Sequence, residues 1–320
     1  MKPIGGYFEL ELAAGNEYYT SLIRLNTGRN ALEYILRVQK YSLIYIPFYT
    51  CDVLLEPIKK TGINFKYYYI DENLDPLIDF TIDSSHCFLY TNYFGIKQQT
   101  VKRLSKELNN LIVDNCQAFF SPPLYGIDTF YSCRKFFGVP DGAYLQLNSE
   151  IKLDIEKDIS YNRCSHLLKR IDIGAEAGYV DFIENNRRLE NNPIKLMSNL
   201  TRRLLSNINY ELCRQKRNEN FYYLHQYLKK YNCFDFDLDL AANDAPMIYP
   251  LLTTRPDLKK KLIEKKIFVA TYWPNVLNWI ESNRFEYCLT QNLISLPVDH
   301  RYSSKELQVI VDLIKAEIDG

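Results

Sequence analysis

Net charge of either sign is absent from this sequence: 39 Lys and Arg stand against 39 Asp and Glu in 320 residues. A nucleic-acid surface needs a basic excess, so no nucleic-acid partner is expected. No polybasic stretch points to a membrane surface. Long apolar runs are also missing, and every run falls far short of the roughly 20 residues that span a bilayer. The opening residues, MKPIGGYFELELAAG, carry acids where an export signal needs an apolar block. No export signal is therefore expected, and the chain reads as cytoplasmic. The eight cysteines include no C-x-x-C pair. Cys87, Cys116 and Cys133 lie in apolar runs, and buried reduced thiols are the simplest reading. The four histidines, at 86, 166, 225 and 300, show no metal-ligand spacing with those cysteines, so no metal is expected. Internal repeats and disordered linkers are absent as well.

What is present is an alternation. Apolar strand-like runs occur at 43–47, 65–70, 87–90, 111–113, 129–132 and 143–147. Amphipathic segments lie between some of them, at 52–60 and after Lys97, where Val101, Leu104 and Leu108 share a helical face. Strand, helix, strand in repetition predicts right-handed crossovers and an α/β fold, with a mostly parallel central sheet covered by helices. From about Ile151 the pattern changes to charged, Asn-rich helical sequence. Long helices are expected over 197–205 and 210–231, with Arg202, Arg203, Arg214 and Arg217 on a solvated face. Beyond Asn232 a second compact unit is expected, with a strand at 247–252, a helix opening at Pro256, a short strand at 267–269, a strand before Pro297 and a final helix. Ser303 and Glu306 form a capping box for that helix. Its apolar face is Leu307, Ile310, Val311, Ile314 and Ile318. The chain thus divides into a large domain, 1–231, and a small C-terminal α/β domain, 232–320.

Three segments carry chemistry. In LIVDNCQAFF an apolar run ends on Asp114, with Gln117 three residues on. Ligands in parallel sheets bind beyond the carboxyl ends of strands, and Asp114 fits that rule. In FYSCRKFFGVPDGAY, Lys135 follows the next strand-like run. A carboxylate at a strand end and a lysine on the next strand are the minimum set for holding pyridoxal phosphate. The lysine bonds the aldehyde and the carboxylate keeps the ring nitrogen protonated. In LNTGRNALEYIL, Thr27 is a good N-cap and Gly28 lets backbone approach closely. The N–H groups of Gly28, Arg29 and Asn30 then make a ready phosphate site, with Arg29 adding a charged fork. An ordinary capped helix would read the same way; Asp114 and Lys135 tip the reading to phosphate.

These segments resemble the DegT/DnrJ/EryC1/StrS family of sugar aminotransferases, fold type I of the pyridoxal-phosphate enzymes. The resemblance covers nearly the whole chain. TGRNAL resembles that family's phosphate-binding helix start, and IPFYTCDVLLEPIKKTG its strand, aromatic turn and helix. VDNCQAF is similar to its Asp-Ala-Ala-Gln segment, and NLISLPVDHRYSSKEL to its Leu-Pro segment before the last helix. The resemblance implies that Lys135 is the Schiff-base lysine and that Asp114 faces the ring nitrogen. It implies that Gln117 contacts the ring hydroxyl or imine region and that Tyr49, or Cys51, stacks on the ring. It further implies amino transfer from an amino acid such as glutamate to a keto-sugar nucleotide, in polysaccharide or related glycan synthesis. A homodimer follows too, with 197–205 near the interface and Asn185, Asn186 or Arg187 reaching the partner's phosphate. A pyridoxal-phosphate enzyme of another reaction type and a catalytically idle binding protein remain alternatives. Retention of Lys135 argues against the family's dehydratases, which carry histidine there.

The sequence departs from the family's pattern at several points. The phosphate-binding serine five residues before the lysine is replaced by Phe130; Ser132, Arg134 or Thr129 can substitute. The family's glycine-rich stretch after the lysine is here GVPDGAY, and the histidine expected before Gly95 is absent. Lys135, buried beside a protonated cofactor, is expected to have a lowered pKa. The 26 tyrosines and the pair Trp273 and Trp279 read as packing before they read as sugar contacts.

Overall fold

The computed structural model describes residues 4–236, 240 and 244–319; residues 1–3, at the head of the N-terminal stretch, 237–239, 241–243 and 320 lie outside the described residues. The chain opens with β1 (Ile23–Leu25), α1 (Gly28–Gln39), β2 (Leu43–Pro47), α2 (Leu55–Thr61) and β3 (Asn64–Tyr68). It continues through β4 (His86–Thr91), α3 (Gln98–Glu107), β5 (Leu111–Asp114), β6 (Asp128–Ser132) and β7 (Ala143–Gln146). Among the described residues these strands form a seven-stranded sheet of order β1-β7-β6-β5-β4-β2-β3. The run from β6 to β3 is parallel, and β7 and β1 add antiparallel at one edge. The chain steps from β2 outward to β3, then returns to β4 on the other side of β2. The sheet therefore reverses direction between β2 and β4, and a crevice opens at their carboxyl ends.

Period-two alternation sends side chains to two cores. On β4, Cys87 and Leu89 face the layer of α1 and α2 with Leu32, Ile35 and Ile58. Phe88 and Tyr90 face the opposite layer with Val101 and Leu104 of α3. The expected α/β sheet is present, with strand ends within two residues of those read from the pattern. The antiparallel β1 was not legible, because three residues are too few to show a period. The helix expected over 52–60 begins as a 3-10 turn, Asp52–Leu54, before α2.

The second half holds α4 (Ser165–Asp172), α5 (Ala175–Arg188), α6 (Asn199–Leu205) and α7 (Tyr210–Leu228). It then forms β8 (Ile248–Leu252), α8 (Leu258–Glu264), α9 (Phe285–Asn292), β9 (Leu293–Pro297) and α10 (Ser304–Asp319). Strands β8 and β9 pair antiparallel. A third core joins Phe221, Leu224 and Leu228 of α7 to Tyr249 and Leu251 of β8 and to Leu307, Val311 and Ile314 of α10. The Ser303 backbone N–H donates to the Glu306 carboxylate at 2.8 Å, and the Lys305 N–H to Ser303 Oγ at 3.3 Å. Two expectations fail here. Residues 267–269 form no strand: Val269 packs into the third core, but its backbone joins no ladder. Arg217 does not lie on a solvated face; it is only 2% exposed. Among the described residues no helix is long and apolar enough to cross a membrane.

Candidate active site

A cavity of about 270 Å³ opens at the carboxyl ends of the parallel strands, where the sheet reverses direction. Four strand ends contribute polar groups: Thr50 and Cys51 after β2, Thr91 on β4, Asp114 on β5 and Ser132 on β6. Register fixes their neighbourhood, because Thr91 pairs with Asp114 and Asp114 with Phe130. Asp114 Oδ1 accepts the Cys116 N–H at 2.8 Å, which aims the carboxylate along the next turn. Gln117 is held at one end only. Its Oε1 accepts the Phe94 N–H at 2.9 Å, while its buried Nε2 has no partner among the described residues. The buried Thr91 Oγ1 is unpartnered too. Leaving such donors unpaired is costly, so two unmatched groups on one cavity mark a place built for something polar.

The turn that receives Gln117 is tight. Gly95 has φ +75°, and a Cβ there would meet Gln117 O at 2.9 Å and Ala245 O at 3.1 Å. Only glycine fits that approach between the site and the chain leading into β8. The family-like histidine missing before Gly95 is replaced by Phe94, whose ring lies 6.1 Å from that of Tyr272.

The start of α1 forms another wall. Thr27 Oγ1 accepts the Asn30 N–H at 3.2 Å, an N-cap. Gly28 faces the cavity, and a Cβ added there would come within 3.0 Å of Cys116 Sγ and 3.8 Å of Ser132 Cβ. Arg29 also lines the cavity, with Nη1 2.6 Å from Glu56 Oε2. Burial would push the Glu56 carboxyl up, but Lys60 and Arg29 bring it below the usual carboxylate range. Asn30 is not a wall residue. Its Nδ2 donates to Asn26 Oδ1 and to Pro193 O, both at 2.8 Å, so its side chain ties α1 to a distant loop.

Lys135 ends the 3-10 turn Cys133–Lys135, directly after β6 rather than on a strand. Its exposed surface is cavity surface: it lines this cavity and the larger cleft beside it. Burial lowers the pKa of its ammonium, yet Cys116, Asp114, Cys51 and Tyr272 together raise it above the ordinary lysine value. Burial also pushes the Cys116 thiol well up, so it is neutral near pH 7. The expected lowering belongs to an amine beside a protonated cofactor; the protein's own groups, acting on the amine alone, outweigh burial and raise it.

Tyr49 lies outside the cavity wall. Its ring is edge-on to Trp273 at 4.9 Å and tilted against Tyr93 at 5.6 Å, and its hydroxyl is buried without a partner. Thr50 and Cys51 take the wall position instead. Phe130 is a wall residue with nothing to donate, and Ser132 supplies the nearby hydroxyl. Asn185 Nδ2 donates to Pro140 O at 2.8 Å, and Asn186 Oδ1 accepts from Arg134, so both are engaged within their own chain. Arg187 is exposed beside Glu184.

Sequence reasoning missed the contributions of Thr91 and Tyr272. Burial pushes the Tyr272 phenol up, while Lys135 and Arg217 pull it down, so the ring sits within reach of both cations. Beyond it, two adjoining hollows of about 620 and 640 Å³ share Arg134, Lys135 and Arg217. They form a cleft between the loop after β6, α4 and α5, and the β8–β9 unit.

No known family profile matches the chain, and no curated protein sequence matches it. Solved structures do. One is DesV of S. venezuelae, in complex with a ketimine intermediate, at TM-score 0.65 and 14% identity, covering 92% of this chain and 84% of that one. The chain has the fold of the sugar aminotransferases. NtdA of Bacillus subtilis, with bound cofactor PMP, matches at TM-score 0.66 and 14% identity over 95% of this chain and 74% of that one. A DegT DnrJ EryC1 StrS aminotransferase from Brucella abortus matches at TM-score 0.60 and 13% identity over 92% and 85%. At such identities the fold is what is shared, and the chemistry rests on the residues of this chain.

Proposed function

We propose that the chain is a pyridoxal-phosphate-dependent aminotransferase. One observation carries the reading: Lys135, Asp114, Gln117 and the Gly28 end of α1 line a single cavity. The residues present fit the cofactor in kind. Unpartnered Gln117 Nε2 and Thr91 Oγ1 await polar ring substituents. Gly28 lines the cavity where a Cβ would crowd Cys116 Sγ at 3.0 Å, so its bare backbone suits a phosphate against helix N–H groups. At about 270 Å³ the cavity lies just below the range of small-molecule sites, roughly 300–1,000 Å³.

Gly28, Arg29 and Ser132 would hold the phosphate, Asp114 the ring nitrogen and Lys135 the aldehyde carbon. When bound, pyridoxal phosphate supplies an electron sink through which an amino group passes between two substrates. Lys135 Nζ takes and returns a proton beside the cavity mouth. Asp114 places its carboxyl group at the end of β5. Tyr272 and Trp273 close the side facing the small unit and keep water out.

The finer parts of the reading are a glutamate-like donor, a keto-sugar nucleotide acceptor, the cytoplasm, and a division into lobes near residue 231. A homodimer belongs to it as well. Ile171, Ile173, Tyr179 and Val180 on the α4–α5 hairpin are 81, 71, 61 and 76% exposed, an apolar surface suited to a second copy. The test is the visible absorbance of purified protein, followed while common amino acids are added. A cofactor band that glutamate or another donor converts is expected. Cofactor binding with no response to any donor would overturn amino transfer and leave a binding protein.

A further inference from the structure

Among the described residues Arg217 is the largest side chain buried to this degree, only 2% exposed on α7. A buried cation is costly unless paired with a carboxylate. Among the described residues no carboxylate lies within ion-pair distance of it. Its Nη1 donates to Pro246 O and Met247 O, both at 3.3 Å, and its Nη2 to Phe136 O at 3.4 Å. These are long bonds to neutral carbonyls. The buried Nε has no partner among the described residues, and the guanidinium lies 4.4 Å from the centre of the Phe136 ring. Burial lowers its pKa to about 10, which still leaves it charged at neutral pH. Asp299, the nearest acid by electrostatic effect, is already taken: Arg301 holds it at 2.6 and 2.9 Å with two nitrogens.

Arg217 nonetheless faces space. It lines both hollows of the cleft, together with Lys135 and Arg134. The larger balance there is positive. Arg134, Arg170, Arg217, Lys266 and Arg301 stand against Asp299 and Glu306 around the first hollow. Phe136, whose carbonyl Arg217 holds, follows Lys135 directly. An anion on Arg217 is therefore close to the amine of Lys135.

We propose that Arg217 is the carboxylate anchor of the amino donor. A planar carboxylate matches the guanidinium fork and would supply the charge that the buried side chain lacks. The donor's amine would then face Lys135, with Tyr272 lining the same hollow. This assignment rests on the amino-transfer reading. It names the residue that selects amino acids over amines lacking a carboxylate.

The test uses glutarate, a dicarboxylate without an amine, titrated calorimetrically into the wild type, Arg217→Met and Arg217→Lys, with inorganic pyrophosphate as the rival anion. Glutarate should bind the wild type, weaken at least tenfold in Arg217→Met, and recover in part in Arg217→Lys, which keeps the charge without the fork. If Arg217→Met does not fold by circular dichroism, Arg217→Lys alone should weaken glutarate at least threefold. In the holoenzyme, Arg217→Met should raise KM for L-glutamate tenfold or more and Arg217→Lys at least threefold, while kcat stays within threefold in both. Unchanged glutarate binding in a folded variant, or no binding to the wild type, overturns the assignment. So does a loss confined to pyrophosphate, which would make Arg217 a phosphate site. Failure of the amino-transfer reading looks different: glutarate binds through Arg217, yet no amino acid alters the cofactor spectrum.

Discussion

The 270 Å³ cavity at the strand ends and the cleft beside it are built in opposite ways. The cavity draws most of its polar groups from residues 27 to 135, with Thr271 and Tyr272 added from the second half. Those at the ends of β2, β4, β5 and β6 follow one another along the chain in the order of these strands in space. The cleft is assembled from residues 134 to 310, on α4, α5, α7, β8, β9 and α10. Their charges come from positions with no shared period. The cavity pairs an acid with a base, whereas the cleft carries unbalanced arginines. One region holds a fixed group and the other admits anionic substrates.

The largest effect should come from the cavity. Lys135→Ala should lower turnover on the order of 10³-fold or more, because the proton-moving amine is lost. Steady-state rates, with mass spectrometry of the borohydride-reduced protein, check this. Cofactor fixed on another lysine, or an active variant, would erase the division between a cavity that holds and a cleft that admits.

Asp114→Asn should keep the fold, because the amide oxygen can still accept the Cys116 N–H. It should cost about 1.5–3 kcal/mol of charge-assisted bonding, or about 10- to 100-fold in rate. Wild-type turnover in a folded variant would remove the carboxylate from the chemistry and leave it a turn-former.

The pH dependence of cofactor capture follows from Lys135. Burial pulls its pKa down, but Cys116, Asp114, Cys51 and Tyr272 raise it overall. Capture of the aldehyde needs the neutral amine. A raised pKa means that little of it exists near neutrality, and that its fraction grows as protons leave. Reconstitution of apoprotein should therefore speed up about tenfold per pH unit between about pH 7 and 9. A flat profile by stopped-flow absorbance would show that capture is not limited by this amine.

Salt separates the two regions directly. Raising ionic strength from about 0.1 M to about 1 M shortens the screening length from roughly 10 Å to roughly 3 Å. KM for an anionic donor should rise several-fold, while cofactor retained after gel filtration should stay nearly constant. Equal losses from both would mean that the cavity is as open to solvent as the cleft.

The same contrast explains what was legible in the sequence. Asp114 and Lys135 stand out because each follows an apolar run of strand length, and Gly28 because a capping residue precedes it. The parallel strands were legible for the same reason. Thr91 was not, since a threonine at a strand end resembles any other. Tyr272 and Arg217 reach the site only through packing of the second unit, and sequence distance hides that. Arg217 looked like part of a solvated arginine face because helix α7 is charged on nearly every side. Only its burial against Phe136 sets it apart. Residues 267–269 have a strand's composition, but no partner strand comes alongside.

Tyr49 provides the smallest and most discriminating test. By family resemblance it stacks on the cofactor ring; in the structure it stands behind the wall with Trp273 and Tyr93. Its hydroxyl is buried and unpartnered, and burial pushes the phenol well up, so it is neutral. Its backbone oxygen accepts Tyr93 Oη–H at 3.0 Å, a bond that phenylalanine would keep. Removing an unsatisfied hydroxyl should then stabilise the fold by about 1 kcal/mol. That corresponds to a Tm rise of about 2 °C in a chain of this size. Cofactor retention and KM should not move in Tyr49→Phe. A fall in retention with unchanged Tm would put the hydroxyl at the cofactor after all. The wall at Thr50 and Cys51 would then have to open when the cofactor binds.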